Sequence, residues 1–566
     1  MARTYESVLK YLEEHKPRIA EVPSARLRTL ISQLATKRPS DALSLGRFHD
    51  LLLFLRAFPS DPTILRLSDR LLASFSKRIR KLTKAGVDLS AIQDGEEFAG
   101  IAGTTLTTIL DYEEAAWLTN CFPGHLSIDW DSYEEEHSLA PLLTRFIPLF
   151  EEDGSVEPDV PYSTWLRNAA NGRGLEWLLD QLRGSELPNS IRSALFGALH
   201  VPIRWSLGDS LATRTHARRQ VKGVFFHRDP LIQRRDVSLA SELSKEPFQE
   251  KRLSFKKGEE IITMCREATS VRYRELYGTT RGDPHDVVQF DVGRGVQIFM
   301  WGLPPTKRLP LRAYQAGFTL KNGIPINYIE AISLFEWVEV GFNTFYAYRD
   351  GETAWVYAQV LRILRQRLGA LCISVYPYQI GQNNEEALAS GAFWFYRKLG
   401  FRCMRSDLEQ LARREEQKIA ADRTHRTSLP TLRKLAEGHV AYELPGAARG
   451  AWDHFRMRNI GLALAKKMGT EYGGDPQKML KFARKKLSQF LRFSPDRLTP
   501  EERLAWDNFS FAFSLHRSPQ TWQPVEKSAM ARIIRAKARI PDADYVRLLR
   551  AHTKLRAVLL EVGSKI

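Results

Sequence analysis

Across residues 1–200, apolar positions recur at spacings of three and four, as in 24–35, 43–58 and 63–82, with Pro39, Pro59, Asp61 and Pro62 between the runs. That period predicts amphipathic helices gathered into a bundle or array, and no fixed repeat length marks a solenoid. GIAGTTL at 100–106 interrupts the period with glycines. SIDWDS at 127–132 reads as an acidic loop rather than a metal site, because its aspartates lack partners at ligand spacing. Residues 201–256 form a polar, basic connector holding THARRQVKG (215–223) and HRDP (227–230), which reads as a linker, a phosphate-binding loop or a surface excursion.

The pattern changes after the connector. A helix is expected over 257–277, followed by strand-like runs at 287–292, 296–301, 314–320, 326–332 and 342–348. Within LKNGIP, Asn322-Gly323 suits a two-residue hairpin because both residues tolerate positive φ, so 285–348 reads as an antiparallel meander. A charged turn at 348–352 then leads into a helix over 354–368, which Gly369 closes. A strand over 371–378 and a helix ending in FYRKLGF (395–401) follow. Residues 405–566 return to helical spacing. The fold class is therefore α+β and multidomain: a helical region (1–200), a connector (201–256), a strand-containing domain (257–404) and a basic helical region (405–566).

Length and composition agree with a soluble multidomain chain: 566 residues, 43% hydrophobic and 26% charged. Four separated cysteines form no CxxC, which argues against a disulfide framework or a cysteine zinc site. With an acid-bearing N-terminus unlike a secretory signal and no long apolar run, a cytoplasmic protein without a transmembrane segment is expected.

Charge is segregated along the chain. Residues 401–566 carry 33 Lys+Arg against 18 Asp+Glu, a net +15 of the total +17, whereas 91–160 hold 16 acids and only Arg145. These are two solvated surfaces, two regions that dock on each other, or a basic region at 401–566 for nucleic acid or another acidic partner. The runs MLKFARKKLSQFLRF (479–493) and MARIIRAKARI (530–540) are the basic helices such a partner would meet.

No GxxxxGK[ST], HExxH, EF-hand loop or GxSxG is present, and His216, His227, His285 and His454 occur singly, so no metal is implied. Chemistry concentrates instead at 342–403. The turn at 348–353 opens a helix N-terminus, where a phosphate can meet backbone N–H groups. ALASGAFWFYRKLGF (387–401) supplies an aromatic block with a clean stop.

Taken in order, helix, meander, charged turn, helix, strand and helix over about 257–403 resemble the GNAT superfamily of acyl-CoA-dependent N-acyltransferases. Tyr396, Lys398, Gly400 and Phe401 match that family's Tyr-x-Lys-x-Gly-Phe pattern. The family's pyrophosphate signature falls on Tyr348, Gly351 and Thr353, with Arg349 one position off the expected basic residue. The resemblance implies a central mixed sheet with flanking helices. It also implies transfer from acetyl-CoA or another acyl-CoA to an amine-bearing small molecule or protein. By the same carry-over Tyr396 is the general acid for the leaving thiolate, and Arg349, Gly351, Glu352, Thr353 and Ala354 hold the cofactor phosphates. Asn384 caps the last helix or touches the cofactor. Glu330, Glu336 and Glu339, in YIEAISLFEWVEV (328–340), are the candidate bases. Against these stand plainer readings: a core tyrosine, an ordinary strand-to-helix turn and surface acids. At the level of function the alternatives are an inactive GNAT-like interaction protein, or a nucleic-acid binder acting through the C-terminal helices.

Overall fold

A computed structural model describes residues 4–564 apart from 38, 40, 135, 149–159, 448–451, 453, 454 and 517–521. The acidic cluster at 151–153 and His454 therefore lie outside the described residues. Helix and sheet are mixed, as expected, around a large mixed sheet.

The N-terminal helices form where the period places them. Helix α1 (Ala42–Ala57) is capped by Asp41, which accepts from the Ser44 amide at 2.7 Å, and it is buried on nearly every side. Phe48, Phe54 and the following Phe58 are essentially inaccessible, each contributing about 2 kcal/mol on burial. The helix expected over 63–82 is two, Pro62–Ala73 and Phe75–Lys84. At the break, Ser74 donates its hydroxyl to the Leu71 carbonyl at 2.9 Å, competing with the helical ladder.

Residues 1–200 are not wholly helical. Strands β1 (Thr105–Ile109) and β2 (Leu126–Ile128) flank β3 (Pro202–Ser206) in a small antiparallel sheet. Its strands come from segments about a hundred residues apart, a pairing that local periodicity does not reveal. Residues 99–212 gather around their own core, whereas 5–101 share one continuous core with 231–562. The connector is not a loose linker either: Thr213, Arg214, Thr215 and His227 are buried within it.

The large sheet has nine strands: β4 (Lys251–Arg252), β5 (Val288–Gly293), β6 (Val296–Trp301), β7 (Ala313–Lys321), β8 (Ile324–Leu334), β9 (Trp337–Thr344), β10 (Cys372–Val375), β11 (Arg402–Cys403) and β12 (Val440–Glu443). Their spatial order is 11-12-10-9-8-7-6-5-4. Only β9 and β10 run parallel; the other neighbours are antiparallel. The β7–β8 hairpin turns at Asn322-Gly323 with φ of 49° and 80°, as its sequence predicts. Because β12 sits between β10 and β11, the sheet extends past the expected boundary at 404. Helix α2 (Phe255–Ser270) precedes the meander and ends earlier than expected, with Tyr273 in the left-handed region at φ 58°. Helix α3 (Thr353–Leu368) crosses from β9 to β10 and stops at Gly369, φ 69°. Helices α4 (Glu385–Ala389) and α5 (Ala392–Lys398) replace one expected helix, separated by Gly391 at φ 67°.

Docking of 91–160 on the basic C-terminal region is one of three readings of the charge pattern, and the acids of that segment that the structure describes pair elsewhere. Glu96 pairs with Arg274, Glu113 with Arg281, and Glu114 with Arg266, so these acids meet the segment around α2. Among the described residues no ion pair joins 91–160 to 401–566. The C-terminal helices pack on the large sheet instead. Lys537, in the second basic run, is buried and donates to the Arg312 carbonyl at 2.9 Å. In the first run Arg484 pairs with Asp507, and Lys486 donates to the Ser514 and His516 carbonyls. In both basic runs, then, some of the cations serve packing within the chain. No helix among the described residues is long and apolar enough to cross a membrane.

Candidate functional site

Parallel strands β9 and β10 pair only from Trp337 to Glu339 against Cys372 to Ser374. Beyond that point β9 continues beside β8 to Thr344, while β10 ends at Val375 and Pro377 opens a 3-10 turn. Proline supplies no N–H to a ladder, so the strands part. A cavity of about 300 Å³ fills the gap, lined among others by Phe342, Asn343, Thr353, Asn384, Phe395 and Tyr396.

Tyr396 stands on α5 with 4% of its surface exposed. Its ring meets Tyr357 and Phe401 edge-on, at centroid separations of 5.7 and 5.6 Å. The aromatic block thus serves both readings, since Phe393 is core while Tyr396 is core on one side and slot wall on the other. No hydrogen bond engages the Tyr396 hydroxyl among the described residues, and the Tyr357 hydroxyl is buried without a partner. Burial pushes both phenols well above the usual tyrosine range. A phenol held protonated and unbonded beside a slot can give its proton to a developing anion there.

The residues expected to hold phosphates are only partly gathered. Thr353 borders the slot and donates its hydroxyl to the Arg349 carbonyl at 3.1 Å. Arg349 also borders it, but its guanidinium pairs with Glu386 and lies over the Tyr346 ring at 3.9 Å. Asn384 caps α4, accepting from the Ala387 amide at 3.1 Å, and lines the slot as well. Gly351, by contrast, lacks positive φ and packs against α1's neighbour: a Cβ there would lie 2.6 Å from Phe58 Cζ. Its missing side chain makes room for the N-terminal region. Glu352 is buried below it, paired with Arg294 and with Lys321 at 3.4 Å. Although burial alone would raise its pKa, those cations hold Glu352 below the usual carboxylate value. Ala354 is buried in the first turn of α3.

The three glutamates part company. Across β8 and β9, Ile332 faces Glu339 and Glu330 faces Gly341, which puts Glu330 and Glu339 on one face of the sheet. The Tyr314 hydroxyl donates to Glu330, and burial raises the carboxyl's pKa against that bond. Glu339 lies 3.4 Å from His439 Nε2 in a second cleft of about 390 Å³. Gly341 leaves space between the two, for a Cβ there would touch nothing closer than 3.7 Å. Neither Glu330 nor Glu336 is among the residues that line the two cavities, and Glu339 lines only the second. Glu336 is the most remote in role. It sits in the β8–β9 turn, paired with Arg556, so it belongs to the packing of the C-terminal helices.

Tyr314, His439, Arg274 and Glu386 were not anticipated from sequence. Arg274 and Glu386 line the slot, and both glutamate partners, Glu96 and Glu386, lie within 4.0 Å of Arg274. His439 reaches the site on β12's approach, a long way along the chain from Glu339, and no local spacing announces it. Among the described residues no group of His, Cys, Asp and Glu is placed to hold a metal ion. Comparison with models of protein families, with curated proteins and with solved structures finds no match to this chain.

Proposed function

We propose that this chain is an N-acyltransferase with a GNAT-like domain over about 257–404, moving an acyl group from acetyl-CoA or another acyl-CoA to an amine. The observation that carries the reading is the parallel strand pair that opens after Glu339 onto a slot walled by an unbonded, buried tyrosine. Within it the amine nitrogen attacks the thioester carbonyl and the C–S bond breaks. The leaving sulfur takes its proton from Tyr396, and the nitrogen's surplus proton goes to Glu330 or Glu339. Arg349, Thr353 and Asn384 border the slot and would touch the co-substrate, whereas Gly351 and Glu352 would support the turn from behind.

A second reading has its own observation. Phe58 fills the space at Gly351, and Glu386 occupies Arg349, as in an acyltransferase-like domain turned to protein interaction. One experiment separates the two. Saturating acetyl-CoA, at about 100 times its Kd, should stabilise the full chain by about 2.7 kcal/mol in thermal unfolding. Tyr396→Phe should keep that shift while lowering transfer to a panel of amines by about 10²-fold or more. An unchanged melting temperature with acetyl-CoA would sink the transferase and leave the interaction protein.

A further inference from the structure

Two cavities on the Glu339 face of the sheet share a wall. The 390 Å³ cleft holds Glu339, His439, Trp337 and Tyr376. A second cavity, of about 280 Å³, is apolar and lined by Leu309, Leu311, Ile460, Leu464 and Phe511. Arg312 and Met457 border both.

Arg312 is the unusual member. It stands just before β7, where Lys537 donates to its carbonyl at 2.9 Å and the buried Tyr545 donates to the neighbouring Leu311 carbonyl at 2.5 Å. Its backbone is thus fixed by the C-terminal helices. The guanidinium is half-buried, yet makes no hydrogen bond or ion pair among the described residues. Burial lowers its pKa, opposed by the charge of Glu339. Glu339 is not within ion-pair distance of it and turns to His439 instead. A half-desolvated cation without a counter-ion is costly and gains most from an anion that reaches it. The combined cavity therefore offers a carboxylate, a separate guanidinium and an apolar recess side by side.

We propose that these two cavities bind an α-amino acid with a bulky apolar side chain. Its ammonium group lies toward Glu339, its carboxylate on Arg312 and its side chain in the Leu309/Leu464 recess. As the acceptor in acyl transfer it rests on the function proposed above; as a ligand it does not, since binding needs no acyl-CoA. Ammonium and carboxylate on one carbon match Glu339 and Arg312, which border one cleft without pairing with each other; Arg456 and Arg458 border it too and add to its pull on a carboxylate. A recess of this volume favours a leucine- or phenylalanine-sized side chain over alanine.

Calorimetry on the full chain without acyl-CoA tests this. L-Phenylalanine should bind, with phenethylamine, which lacks the carboxylate, and 3-phenylpropanoic acid, which lacks the amine, each at least tenfold weaker. Arg312→Gln should erase the preference for L-phenylalanine over phenethylamine with an unchanged melting curve. Leu464→Trp, which fills the recess, should reverse the preference for L-phenylalanine over L-alanine. Absence of binding by L-phenylalanine and L-leucine at 10 mM (about 3 kcal/mol at most) overturns the proposal. Equal binding of phenethylamine by the unmutated chain overturns it too, and needs no variant to fold. Amino-acid binding without transfer from acetyl-CoA would sink the acyltransferase while leaving this site intact. Equal acylation of amines with and without a carboxylate would do the reverse.

Discussion

At the scale of single residues, the site rests on phenols and carboxylates whose protons are held out of their usual ranges. Glu330 is the clearest case, with burial raising its pKa and the Tyr314 hydrogen bond lowering it. If Glu330 takes the amine's proton, its active form is the carboxylate, so kcat/KM should rise with pH along a limb above the ordinary glutamate value. Tyr314→Phe removes the lowering contact and should move that limb to still higher pH, read from the pH–rate profile. A limb that does not move, with Glu330→Gln fully active, assigns the proton to Glu339. Little of this was legible in the sequence. Asn322-Gly323 fixes the hairpin turn with Lys321 opposite Ile324, and continuing that register would place Glu330 opposite Gln315. A bulge between Thr319 and Leu320 shifts the pairing so that Glu330 faces Ala316 and shares a face with Tyr314. One residue of slip exchanges the two faces of a strand.

Among the elements, long periodic helices and the meander follow their sequence pattern closely, while breaks and distant pairings do not. Ser74 and Gly391 split helices that the apolar period runs straight through, and β1 finds its partner nearly a hundred residues away. The turn at 346–353 shows how a motif can be met for another reason. Its glycine is required by Phe58, whatever a ligand would ask of it. Gly351→Ala should therefore destabilise by about 1–3 kcal/mol through overpacking, without backbone strain, since φ there is not positive. Phe58→Leu in the same chain should recover part of that loss in denaturant unfolding, and a simple sum of the two single effects would refute the steric account.

Over the whole molecule, the two cores meet at a buried polar knot. His49 shares a 2.8 Å hydrogen bond with Thr215, which accepts from the Ala102 amide at 2.9 Å. Arg56 donates to the Thr215 carbonyl, and Asp50 pairs with Arg214 at 2.8 Å. Burial, aided by the Arg214 and Arg56 charges and opposed by Asp50, lowers His49 to about 4. A histidine depressed in the folded state stabilises fully above its unfolded value near 6.5, and that stability drains as pH falls toward 4. The loss should reach up to about 3 kcal/mol. Melting temperatures across that window should fall less steeply for His49→Gln than for the unmutated chain; parallel curves would place the acid sensitivity elsewhere.

The position of β12 has a consequence for how the chain is made. Residues 440–443 wedge between β10 and β11, so until they leave the ribosome both of those strands carry bare edges able to pair with another chain. During synthesis the slot beside β10 is thus open before its supporting sheet is complete, and the natural unit of expression runs past residue 443, not to 404.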